Sequence, residues 1–141
     1  MNHTHAVHAS RDDQGKLLLR IVLAVLLLFH GVSKLGGGVG FIAGMLEKAG
    51  LPGVFAYLVY VGEVLAPLLI LVGLFTRAAA LVVAINMVVA LLLVHTGEFF
   101  TMSDTGGWAL ELQGLYLGAA LALALLGAGR YSIGGVAGRY N

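Results

Sequence analysis

Glu63 and Glu111 lie inside apolar stretches of the chain. An ionisable side chain left in hydrocarbon is costly, so each is a candidate functional position by default. His30 and Lys34 are four residues apart and share one helix face, and His95 closes a third apolar stretch. Carboxylates, imidazoles and an ammonium in such surroundings suit two chemistries. Glu63, Glu111 and His95 are candidates for relaying or accepting protons, a role that burial can tune. His30, Lys34 and Glu63 are candidates for holding a small ligand, with Lys34 taking an anionic oxygen or pairing with Glu63.

The elements that carry these residues are helices long enough to cross a membrane. Four apolar runs stand out, 17–35, 55–75, 78–94 and 107–126, each about the length that spans a hydrocarbon core. They do not alternate in polarity as barrel strands would. The expected fold is all-α: a four-helix transmembrane bundle with a short interfacial helix in the first outer loop. That loop opens on Gly36, Gly37 and Gly38 and closes on Gly50 to Gly53. Between them Phe41, Ile42, Met45 and Leu46 share a face. Residues 1–16 read as a disordered cytoplasmic tail, 17–135 as the membrane domain and 136–141 as a second cytoplasmic tail.

Basic residues set the expected orientation. Arg11, Lys16, Arg20, Arg77, Arg130 and Arg139 fall on one side, and Lys34 and Lys48 on the other, which places both termini in the cytoplasm. Arg20 is expected to snorkel back to the inner interface. A helix rises about 1.5 Å per residue, so the five polar residues lie about 18 to about 26 Å above the cytoplasmic ends of their helices. All five therefore share the outer half of the bilayer. Pro67, four residues after Glu63, cannot donate to the Glu63 carbonyl and weakens the helix at that turn. Asn86, deeper in the third span, is expected to hydrogen-bond across the bundle. Gly114, Gly118 and Ala122 form a small-residue stripe on the face of Glu111, suited to close helix packing.

Several classes are excluded or set aside. The chain is 141 residues long, 60% hydrophobic and 11% charged, with net charge +1 and no cysteine. It has no basic field for nucleic acid and no thiolate chemistry of its own. The glycines at 36–40 lack the strand and the Gly-Lys-Ser/Thr ending of a phosphate loop. No metal site is expected, and the amino-terminal histidines His3, His5 and His8 read as incidental.

In order and spacing, several pieces together resemble the DoxX family of small four-helix membrane proteins. They are Gly31-Val-Ser-Lys34, Glu63, Gly73-Leu-Phe-Thr-Arg77, His95, Glu111 and Gly127-Ala-Gly129-Arg-Tyr-Ser132. The resemblance runs from about Leu17 to Gly135; the histidine-bearing segment lies outside it. It implies a multi-pass protein of the bacterial inner membrane. The family takes its name from a subunit of a thiosulfate:quinone oxidoreductase, and relatives are linked to quinone, thiol and oxidative stress. The leading expectation is therefore a redox-associated accessory subunit, with the cofactor open and a quinone as the candidate. Its partners would be the lipid bilayer and a redox enzyme or further copies of itself. Any electron transfer would be supplied by a cofactor or partner. Two alternatives stay open: a small-solute or proton transporter using the same cluster, and a structural subunit in which the cluster only holds helices together.

Overall fold

The structure, a computed structural model, describes residues 3–141, with side chains from Arg11 onward. Helix α1 (His3–Gly37) is followed by the short α2 (Gly40–Lys48). The second span starts as a 3-10 turn (Gly53–Leu58), widens into a π turn (Val61–Leu65) and continues as α3 (Ala66–Val72). Helix α4 (Thr76–Leu93) returns, and α5 (Glu111–Leu126) completes a four-helix, all-α bundle. Three of the spans, Arg11–Gly37, Gly53–Val72 and Thr76–Leu93, are long and apolar enough to cross a membrane; α5 is apolar and shorter.

The core follows helical spacing. Leu23, Ala24 and Leu27 of α1 meet Ala66 and Ile70 of α3, with Ala79, Ala80, Val83, Ala84 and Met87 of α4 and Tyr116, Ala120 and Leu123 of α5. Alanines on the buried face of α4 allow a close approach to α5, the most extensive helix–helix contact in the molecule. Outward-facing leucines, valines and phenylalanines cover the spans. An apolar exterior on this scale suits contact with lipid. A second cluster, Val39, Leu46, Ala56 and Val59, seats α2 on the start of the second span.

The end of the bundle opposite α2 is tied by two arginines. Arg20 does not snorkel outward: it is 1% exposed. Its guanidinium donates to the carbonyls of Ile70 (2.8 Å) and Leu71 (2.8 Å), and to those of Ala128 (3.0 Å) and Tyr131 (2.6 Å). The last turn of α3 leaves carbonyls without intrahelical donors; the buried guanidinium bonds two of them, and two more in the segment that follows α5. Arg77 does the same for α5, donating to the carbonyls of Ala124 and Leu125.

Neither expected tail is free where the structure describes it. Helix α1 already runs at His3, since extending a formed helix needs no new nucleus. Lys16 pairs with Asp12 at 2.7 Å. Asp13 is buried and accepts the backbone N–H of Arg130 at 2.9 Å. The side chains of His3, His5 and His8 lie outside the described residues. At the other end, Asn141 is buried. Its side-chain oxygen accepts the Thr76 hydroxyl at 3.0 Å, and its amide donates to the Gly135 carbonyl at 2.6 Å.

Candidate functional site

Glu63 sits in the π turn, where the helical repeat widens by one residue and Ala66 N–H bonds back to the Val61 carbonyl. Insertions of this kind recur at functional positions. The break expected from Pro67 thus takes the form of a π turn, with Pro67 in the first turn of α3. Two glycines let other elements close on it. A methyl group at Gly31 would overlap the Glu63 carbonyl, so only glycine allows α1 to pack there. A methyl at Gly62 would lie 2.5 Å from the Asn86 side chain.

These approaches bring three polar side chains together. Lys34 donates to Glu63 Oε2 in an ion pair, and Asn86 Nδ2 donates to Oε1 at 3.3 Å. The Glu63 side chain is 8% exposed and that of Lys34 28%. Tyr60 fixes the end of α1 by donating its hydroxyl to the Lys34 carbonyl at 3.0 Å. The His30 ring stands edge-on to Tyr116, with centroids 5.9 Å apart and planes at 85°.

Beside this pair lies a cavity of about 590 Å³, a volume typical of small-molecule sites. Its polar lining comprises His30, Lys34, Glu63, Asn86, His95 and Gln113, with Tyr116 alongside; aliphatic side chains and Phe41 and Phe55 form the remainder. His95 follows the end of α4. Its Nδ1 is 3.0 Å from Glu98 Oε2, and its Nε2 is 3.2 Å from Gln113 Nε2. Among the described residues no group of three or more histidine, aspartate or glutamate side chains could hold a metal ion.

Four of the five candidates therefore share one cavity: His30, Lys34, Glu63 and His95. Glu111 does not. It is exposed in the first turn of α5 and absent from the cavity wall, where a carboxylate complements the helix dipole. The small-residue stripe on its face meets no other helix either: a methyl at Gly118 would touch nothing, and one at Gly114 would meet Trp108. The face of α5 that turns inward carries Gln113, Tyr116, Ala120 and Leu123. Gln113 and Tyr116, three apart and in register with that buried row, were the available signal for it.

A family model described as DoxX matches residues 15–96. The chain belongs to the DoxX family. A Bacillus subtilis (strain 168) protein named "Putative oxidoreductase CatD" is 32% identical over 103 residues, covering 73% of this chain and 76% of that protein. No solved structure matches. In this DoxX protein the matched region contains α1 from Gly15 onward, α2, the second span and α4, and with them His30, Lys34, Glu63, Asn86 and His95. The α5 side of the cavity, with Gln113 and Tyr116, falls outside it.

Proposed function

We propose that this DoxX-family membrane protein binds a quinone-like ring or a similar small polar ligand in the cavity beside Glu63, as a redox-associated accessory component. The observation that carries this reading is the convergence of His30, Lys34, Glu63, Asn86 and His95 on a single, largely apolar cavity of about 590 Å³. A flat apolar ring matches the walls, and ring oxygens match the polar groups. The oxidoreductase in the name of the Bacillus subtilis relative supports the same class. Lys34 would polarise or hold a ligand oxygen, with His30 and His95 placed to take or give protons and Glu63 setting the charge balance. Electrons would come from the ligand or from a partner enzyme. On this reading the protein lies in the inner membrane with both termini cytoplasmic, so that the cavity opens towards the outer leaflet.

The test is binding of 2-methyl-1,4-naphthoquinone to the protein in lipid nanodiscs, corrected for empty nanodiscs. Saturable binding that Lys34→Met weakens at least tenfold supports the reading. Absence of saturable binding, or binding unchanged by that substitution in a folded protein, overturns it. The break in the second span favours one rival, a transporter for protons or a small solute, because unwound backbone at membrane depth often lines a substrate path. Flux into proteoliposomes that Glu63→Gln abolishes would select it.

A further inference from the structure

We infer that the cavity opens sideways into the membrane through a window between the second span and α4, and that its ligand is a lipid-dissolved ring compound whose hydrocarbon chain passes out through that window. The inference rests on the ligand-binding reading above and names the class of ligand.

The four spans form a square. Helix α1 packs on the second span and on α5, and α4 packs on the same two. Three edges are closed around the cavity. Between α1 and the second span, Gly31 lies against the Glu63 backbone and Tyr60 bonds the Lys34 carbonyl. Between α1 and α5 the His30 ring stands against Tyr116. Between α4 and α5 runs the most extensive helix contact. At the α2 end, Ile42 and Leu46 enter the cavity wall, with Leu46 buried alongside Ala56 and Val59.

The fourth edge is different. The second span and α4 touch at the π turn, where Asn86 lies against Gly62 and donates to Glu63. From there towards α2 the two diverge: α4 packs along the π turn and α3, and not along the 3-10 turn Gly53–Leu58. Leu93 meets the cluster that seats α2 and closes the gap above. Between Asn86 and Leu93 the helix rises about 10 Å, room for a ring or a chain to pass. Leu58 and Val61 form one side of the opening, and Ile85 and Val89 the other. All four line the cavity and all four are exposed. Leu58 is 61% exposed and Ile85 63%, too much for side chains that face an enclosed space alone.

Apart from Asn86 at its lower edge the opening is aliphatic, so it serves a solute arriving from lipid and not from water. A ring entering there passes Asn86 and reaches Glu63 and Lys34. Its chain stays in the gap. A chain gains nothing by leaving lipid tails for leucine and isoleucine side chains. The gap therefore adds no affinity; it removes the clash that a closed wall would impose.

The test compares 2-methyl-1,4-naphthoquinone with 2-methyl-3-phytyl-1,4-naphthoquinone, the same ring without and with a chain, on the protein in lipid nanodiscs. Affinity is expressed against the mole fraction of probe in the lipid, which removes the partitioning advantage of the chain. The wild type is expected to bind the phytyl probe no more than about threefold more weakly than the chainless one. Ile85→Trp narrows the opening and should weaken the phytyl probe at least about tenfold relative to the chainless one, the scale of an overpacked contact. Leu81→Trp, exposed on α4 outside the cavity wall, should keep the wild-type ratio. If Ile85→Trp fails to fold, Val89→Trp, one turn nearer α2, decides in its place. A wild type that binds the chainless ring and rejects the phytyl one overturns the inference and leaves the cavity reading standing. So does a ratio that the tryptophan at the opening leaves unchanged, since ordinary lipid then fills the gap, or an equal loss in Leu81→Trp. Failure of the wild type to bind either probe overturns both.

Discussion

Removing Lys34 and removing Glu63 should not be equivalent, although the two form one ion pair. The Glu63 side chain is 8% exposed and the Lys34 side chain 28%. Lys34→Met leaves a buried carboxylate whose remaining partner is the Asn86 amide at 3.3 Å. Breaking a buried pair from one side typically costs about 3–5 kcal/mol, and the burial of Glu63 places this substitution in that range. Glu63→Gln leaves the more accessible ammonium, whose long stem can carry it towards the interface, and keeps an oxygen to accept from Asn86. Its cost should be about 1.5–3 kcal/mol, that of one charge-assisted hydrogen bond. The double substitution carries no stranded charge and should be more stable than Lys34→Met alone, with a coupling of about 2 kcal/mol. The measurement is unfolding in mixed micelles by denaturing detergent, followed by ellipticity. Naphthoquinone binding, assayed in parallel on the fraction that remains folded, should be weakened in all three variants. Equal costs for the two single substitutions, with a double substitution equal to their sum, would refute a buried pair that couples α1 to the π turn.

Arg20→Lys cannot reproduce the four carbonyl contacts made by the guanidinium; it should destabilise the bundle by at least about 3 kcal/mol, seen in the same unfolding assay. Gly31→Ala should separate α1 from the second span, because its methyl meets the rigid Glu63 backbone; Gly62→Ala meets the movable Asn86 side chain and should be milder. Both should lower ligand affinity, and Gly31→Ala should lower stability by about 1–3 kcal/mol, the range for overpacking a well-filled contact. Glu111→Gln should leave both quinone binding and stability within about 0.5 kcal/mol of wild type, since the side chain is exposed and outside the cavity; a large loss of binding would place α5 in the wrong rotation.

The parts of the fold that were legible in the sequence are those set by hydrophobicity alone. Length and apolarity identify the spans, and the glycines around 36–40 and 50–53 bracket α2. The residues that the helical rise put at one depth, His30, Lys34, Glu63 and His95, do line one cavity. Depth, however, fixes only one coordinate. The other is rotation about the helix axis, and an apolar helix in lipid carries little amphipathic signal to set it. Helix α5 shows the consequence. Two rows compete there: Glu111, Gly114, Gly118 and Ala122 on one face, and Gln113, Tyr116, Ala120 and Leu123 on another. A formal charge and small residues favoured the first. Packing chose the second, because Ala120 and Leu123 fill the space left by the alanine face of α4, while a carboxylate in the first turn is already served by the helix terminus and by water. Arg20 follows the same logic in reverse. Its charge suggested the interface, yet the end of α3 and the segment after α5 needed donors, and a guanidinium can supply several at once. In both cases the need of neighbouring backbone and core decided where a polar side chain went, and the residue's own cost in hydrocarbon did not.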